Sequence, residues 1–216
     1  MHKLFDLGHS FQRRKRYYVF GHRNNDVLGV ERAKAYSEAL GVSHHFPETY
    51  SYSEGVVFIR DIWPSLHMIR FISPSVLNLD IGSNELALLT THDPYECCLM
   101  LNELMDFITE ANVPVTVVNH ILKRTANIAG SEAVFEQNAR EYNTRLAVFC
   151  GITDGISPYV VANPQRGFPS KPVAEWSNDG IHMRVDGISN ENLIPMDRYI
   201  RQNNHVIFSQ LGKLSL

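Results

Sequence analysis

A chain of 216 residues, 44% hydrophobic and 20% charged, has ordinary globular composition and is long enough for one domain whose core needs no disulfide or metal staple. A formal net charge of −3 argues against a general nucleic-acid or membrane-surface binder, and no apolar run approaches the roughly 18 residues that would suggest a membrane span. Three cysteines, with Cys97 and Cys98 adjacent, make no disulfide framework and fit a reducing compartment. The residues before Gly8 belong to the first predicted strand, which leaves no room for a signal peptide. The expectation is therefore an intracellular protein, or a domain of a longer one, folded as a single unit over 1–216.

In chain order, residues 3–8 read as a short strand. Residues 11–20 and 31–40 read as helices with the loop "GHRNNDVLGV" (21–30) between them, and Gly41 stops the second. "VVFI" (56–59) either continues a short strand or begins a turn of helix. "SVLNLDIG" (75–82) is an apolar run ending in glycine, as a buried parallel strand would be. A helix follows to about residue 111, opened by Asp93 as N-cap, Pro94 at its first position and Glu96 at its third. "VPVTVVNHI" (113–121) is the next strand, a long helix starts near 131, "SPYVVAN" (157–163) is the last strand, and 188–203 forms a closing helix. Strands alternating with helices predict a parallel sheet covered on both faces, a three-layer α/β/α architecture. Sites in such sheets gather at the carboxyl ends of the strands.

Three stretches carry chemistry. "GHS" (8–10) follows the first strand and lifts Ser10 to the sheet edge. In "IGSNEL" (81–86), Asn84 is expected to project from the loop after Gly82, where its amide can donate to an oxyanion. In "WSNDGIHMRVDG" (176–187), Asp179 and His182 are spaced to set a carboxylate beside an imidazole and fix its tautomer. Between them Gly55 can offer a backbone N–H with no side chain in the way. Taken singly each is ordinary: Ser10 can be a helix cap, 82–84 a loop, and 179–182 a turn. Their order along the chain, three of the four at predicted strand exits, is what makes the set informative.

That order resembles the SGNH hydrolase superfamily, the GDSL esterases. Its four blocks would be "GHS" (8–10), Gly55, "GSNE" (82–85) and "DGIH" (179–182), and "EYNTRLA" (141–147) resembles the segment common before the family's last strand. "GHSFQRR", "FIRDIWPSL" and "IGSNEL" are closer still to a metazoan branch carrying Gly-His-Ser in the first block. The resemblance implies a flavodoxin-like α/β/α fold and hydrolysis of a small-molecule ester, without cofactor or metal. It implies Ser10 as nucleophile, His182 as base and Asp179 as its orienting partner. The oxyanion hole would be the N–H groups of Ser10 and Gly55 with the Asn84 side chain. His9 and Glu85 each stand where the family pattern has aspartate. A rival first block, "VFGHRNND" (19–26), places Arg23 where the serine should be and would give a dead enzyme.

Other chemistries have little support. There is no Gly-x-Ser-x-Gly, P-loop or Gly-x-Gly-x-x-Gly. His44-His45 with Cys97-Cys98 could make a zinc site only by tertiary accident. "RRKR" (13–16) reads as a solvated helix face that can touch phosphate or an acidic partner. The vicinal cysteines and Trp63 are expected in the core, as is Trp176, which also lies near enough to Asp179 to line a pocket. Beside the esterase stand two alternatives: an SGNH-shaped binding module without activity, and an accessory domain of a nucleic-acid-associated, mobile-element protein. Oligomeric state and acyl chain length leave no trace in the sequence, and short acyl groups are the default.

Overall fold

The computed structural model describes residues 2–10, 48–53, 55–88, 94–151, 159–162, 172–186 and 195–214. Five parallel strands form one sheet: β1 (Lys3–Gly8), β2 (Glu48–Ser53), β3 (Val76–Asp80), β4 (Val115–Asn119) and β5 (Tyr159–Ala162), in the spatial order β2-β1-β3-β4-β5. The described helices are α1 (Leu66–Ile72), α2 (Ser83–Leu88), α3 (Pro94–Ala111), α4 (Glu132–Gly151) and α5 (Pro195–Leu214), with 3₁₀ stretches at Ile59–Ser65 and Val173–Glu175. This is the parallel α/β architecture expected from the alternation of elements, and it is flavodoxin-like, as the resemblance implies. No helix among the described residues is long and apolar enough to cross a membrane.

Alternation along the strands assigns the two faces. Phe5, Leu7, Leu77, Leu79 and Val118 point into the larger core, shared with α1 to α4. Leu4, Val76, Val115 and Val117 point the other way, toward Ile207 of α5. That second face also carries polar residues where apolar ones would be expected. Asp6, Asn78 and Asn119 come from three adjacent strands, and Asn203 comes down on them from α5. Asn78 donates to Asp6 Oδ1 (2.6 Å), Asn119 donates to Asn78 Oδ1 (3.0 Å), and Asn203 donates to Asn119 Oδ1 (2.7 Å). Buried amides are tolerated only when bonded, and each here is. In α5 the spacing Met196, Tyr199, Ile200, Asn203, Ile207 is a helical stripe, so one face of the helix delivers both the polar contacts and the apolar ones.

Several boundaries differ from those read in the sequence. A strand at Glu48–Ser53 went unrecognised: "ETYSYS" lacks the aliphatic residues that advertise a buried strand, yet it pairs along the whole of β1. "VVFI" contributes to no strand; a 3₁₀ stretch begins at Ile59. Asn84 does not project from a loop but lies in the first turn of α2. The closing helix starts at Pro195 and runs to Leu214, well past residue 203. The Asp93 cap, the helices at 11–20 and 31–40, the loop at 21–30, "RRKR", His44-His45 and the rival block at 19–26 lie outside the described residues.

Removing Asn203 takes the partner from Asn119 Oδ1 and one of two bonds from each end of the Asn78 amide, and a buried polar group left unsatisfied costs about 1–3 kcal/mol. Asn203→Ala should therefore lower the unfolding free energy by about that much in urea titration. A loss under about 0.5 kcal/mol, the size of an ordinary surface change, would show that the seam is not structural.

Candidate active site

Ser10, His182 and Asp179 meet at the carboxyl edge of the sheet. β1 ends at Gly8, which pairs with Asp80 of β3, and a Cβ built on Gly8 would stand 2.1 Å from the Asp80 carbonyl oxygen. Only glycine allows that approach, and it turns the chain sharply so that His9 is a bend and Ser10 the first helical residue. The His9 N–H donates to the same Asp80 carbonyl (3.1 Å).

Ser10 Oγ donates to His182 Nε2 at 2.6 Å, and His182 Nδ1 donates to Asp179 Oδ2 at 2.8 Å. With Nδ1 as donor, Nε2 is left as the acceptor that a serine proton requires. The Asp179 carboxylate also organises its own turn: Oδ1 accepts from the backbone N–H of His182 (2.7 Å) and Ile181 (3.0 Å), and from the Ser177 hydroxyl (3.1 Å). Burial pushes Asp179 up, but the His182 N–H and ring and the Ile181 N–H outweigh it, and the carboxyl is held well below its usual range. Gly180 takes φ +73° in this turn, and a Cβ there would lie 2.6 Å from Thr125 Oγ1. The turn is pinned from outside by the Thr125 N–H, which donates to the Gly180 carbonyl (2.8 Å).

What brings this turn to Ser10 is a second, smaller core. Val173, Trp176, Ile181 and Met183 pack with Leu122 and with Met196, Tyr199 and Ile200 of α5. A bridge between Ser177 and Met183 and the bond from the Arg184 N–H to the Trp176 carbonyl (2.8 Å) close the loop on itself. Trp176 is fully buried in this cluster, as a core residue.

Asn84 is buried in the first turn of α2. Its Nδ2 donates to the Val57 carbonyl (3.0 Å), and its Oδ1 accepts from Arg124 Nη1 (3.4 Å). The next residue, Glu85, accepts the Ile59 N–H, so adjacent side chains of α2 hold both ends of Val57–Ile59. Gly55 lies two residues before that segment. It lies two residues past the end of β2, whose Ser53 pairs with Gly8, so it shares the edge with Ser10. It is exposed, and a Cβ there would meet nothing within 4 Å. Any demand for glycine at this position is therefore not imposed by the folded protein alone.

His9 and Glu85, which stand where the resembled pattern has aspartate, are both buried, and burial pushes each toward its neutral form. His9 is buried with Nε2 3.5 Å from Asp80 Oδ1; burial lowers its pKa, against the pull of the Asp80 carboxylate, and favours the neutral ring. Asp80 is itself bonded by the Tyr199 hydroxyl of α5. Glu85 is pushed up to about 7, chiefly by burial, which outweighs the Ile59 N–H bond and is reinforced by Glu103 and Asp61. Its Oε2 is buried without a hydrogen-bond partner.

Three residues at the site escaped the sequence reading. Asp80 and Tyr199 sit in otherwise apolar patterns, and the acidic residue in "LNLDIG" was the available signal. Arg124, in the loop after β4, resembled any solvated basic residue, yet it is buried. Cys97 is in the core, whereas Cys98 is half-buried beside Arg145. Among the described residues no group of three or more His, Cys, Asp or Glu side chains could hold a metal ion.

The chain matches no family model and no curated protein. Solved structures share its fold. An acetyl esterase mutant with an acetate ion is 14% identical, with a TM-score of 0.62 and full coverage of both chains. A carbohydrate esterase family 3 protein from Talaromyces cellulolyticus is 15% identical, TM-score 0.62, over 99% of each chain. A GDSL-like lipase from Bacteroides thetaiotaomicron is 8% identical, TM-score 0.60, over 99% of this chain and 89% of the other. At such identities the likeness establishes the fold: a flavodoxin-like parallel sheet of the kind found in GDSL-like lipases and esterases.

The Glu85 carboxyl makes one property of this region titrate. Because it holds its proton to higher pH in the folded chain than in the unfolded one, its contribution to stability is full below pH about 4.5 and is lost as pH rises through about 7. Glu85→Gln should gain melting temperature relative to the wild type as pH rises from about 5 to about 8, with little difference at the acid end. A difference that stays flat across that range would remove Glu85 as the titrating group.

Proposed function

We propose that the protein is a serine esterase of SGNH type that hydrolyses carboxylic esters with short acyl groups. The observation that carries the reading is the continuous hydrogen-bond chain Ser10–His182–Asp179, at 2.6 and 2.8 Å, on the carboxyl edge of the sheet. The GDSL-like and acetyl esterase neighbours support the same reaction class and a small acyl group. The Gly-His-Ser block we read as that of the metazoan branch.

In this reading His182 Nε2 takes the Ser10 proton as Oγ attacks the ester carbonyl, and a tetrahedral oxyanion forms. His182 then returns the proton to the departing alcohol as the C–O bond breaks, leaving an acyl group on Ser10. A water, deprotonated by the same nitrogen, attacks the acyl carbon and releases the acid and the free serine. Asp179 keeps the imidazole in the tautomer this cycle needs and stabilises the cationic ring that forms in each half. The N–H groups of Ser10 and Gly55 and the Asn84 amide receive the oxyanion. An amide nitrogen carries two protons, so the bond to Val57 leaves Asn84 one to donate.

That Val57 bond is also what favours the second reading, a binding module with an esterase-like site but no turnover. The two separate on p-nitrophenyl acetate and butyrate. Ser10→Ala should bring hydrolysis to background, and Asn84→Ala should lower kcat by on the order of 10²–10³ with little change in KM, as for loss of one oxyanion donor. Wild-type rates equal to those of Ser10→Ala would overturn the esterase reading in favour of the binding module. An Asn84→Ala variant with normal kcat and a lowered melting temperature would reduce Asn84 to a structural residue.

A further inference from the structure

Arg124 has surroundings that do not fit an ordinary structural role. It is 5% exposed, and among the described residues its hydrogen bonds all go to neutral oxygens. Nε donates to the Ala126 carbonyl (2.8 Å), and Nη1 is shared among the Ser83 carbonyl (3.3 Å), the Ser83 hydroxyl (3.5 Å) and Asn84 Oδ1 (3.4 Å). No carboxylate pairs with it among the described residues. Buried cations are normally paired, because a charge taken from water without a counter-ion is costly. Arginine does not escape that cost by losing its proton, so the charge stays.

The direction of the contacts matters as much as the charge. Asn84 is gripped at both ends of its amide: Arg124 donates to the oxygen, and the Val57 carbonyl accepts from the nitrogen. Turning the amide over would set two donors face to face at Arg124 and two acceptors face to face at Val57. Each half of the grip therefore reinforces the other, and the amide nitrogen is held on the Val57 side. The guanidinium also polarises the amide through its oxygen, which strengthens the nitrogen as a donor. A fixed positive charge next to that donor is of greatest value when negative charge develops on the substrate.

We propose that Arg124 is a positioning residue for the oxyanion hole, setting the orientation of the Asn84 amide and supplying its unneutralised charge to the developing oxyanion. The proposal rests on the esterase reading above for its kinetic consequence, though not for the amide orientation itself. It goes beyond packing, because the backbone link between this segment and the Asp179–His182 turn runs through the Thr125 N–H and survives any change of the Arg124 side chain.

The test is a double-mutant cycle on the full chain with p-nitrophenyl acetate. Arg124→Met should lower kcat by on the order of 10–100-fold, with KM within about twofold of the wild type. Combined with Asn84→Ala it should cost little more than Asn84→Ala alone, because the side chain through which it acts is already gone. Losses that multiply would overturn the proposal. Arg124→Lys, which keeps the charge but lacks the fork, is the variant to use if the methionine variant does not fold; wild-type kcat in Arg124→Lys together with an unmoved Asn84 amide would overturn the proposal too. The side-chain N–H pair of Asn84 in ¹H–¹⁵N spectra supplies a readout independent of turnover. It should shift in both variants, and an unchanged pair in a folded variant overturns the proposal even if the wild type proves to have no esterase activity. Activity absent from the wild type with a shifted amide pair would instead count against the esterase reading and leave the positioning role supported.

Discussion

The registration of α5 across the sheet is the constraint on which the site depends. Asn203 bonds to side chains of β3 and β4, one turn earlier Tyr199 bonds to Asp80 at the end of β3, and Ile200 beside it and Met196 a turn before enter the small core that packs the Asp179–His182 loop. A purely apolar interface would let the helix slide by a fraction of a turn at small cost. Directional bonds at Asn203 and Tyr199 remove that freedom, since a shift would leave several buried polar groups unpaired together. The loop that carries His182 thus inherits its position from a helix fixed to the strand beside the one that carries Ser10.

Asp80 joins the two halves of this arrangement. Its backbone carbonyl accepts from His9 and leaves room only for glycine at position 8, while its carboxylate faces the His9 ring and accepts from Tyr199. The turn that raises Ser10 to the sheet edge is therefore bonded to the same residue that receives the last helix. His9, which stands where the resembled pattern has aspartate, is buried in that assembly next to a carboxylate, and burial favours its neutral ring. The departure is accommodated by packing and hydrogen bonding within the sheet edge rather than left facing solvent.

The charged groups around the edge are held in contrasting states by contrasting surroundings. Asp179 gathers hydrogen-bond donors and stays ionised despite partial burial, whereas Glu85, more deeply buried and with acidic neighbours, is pushed toward the protonated form despite the backbone N–H groups of Ile59 and Glu85 itself. Arg124 is buried among neutral oxygens. Such divergence between neighbouring ionisable groups comes from burial and local hydrogen bonding; on a solvated surface the same residues would keep their ordinary states.

The local rules of the sequence determined much of this. Apolar runs ending in glycine identified β1 and β3, Pro94 and Glu96 marked the start of α3, and the order of Ser10, Gly55, Asn84, Asp179 and His182 was legible because short motifs depend only on neighbouring residues. Strand β2 was not, since "ETYSYS" becomes a strand by pairing with β1, and pairing is a property of two distant segments. The length of α5 beyond residue 203 and the helical setting of Asn84 were likewise decided by packing rather than by local pattern. Tertiary structure alone brought Ser10 within 2.6 Å of a ring 172 positions away, buried Arg124, and made Asp80 the partner of both His9 and Tyr199. The physical reason is that residue type and spacing set which conformations a segment favours, whereas burial, charge pairing and hydrogen-bond direction arise only when segments far apart in sequence exclude water from one another.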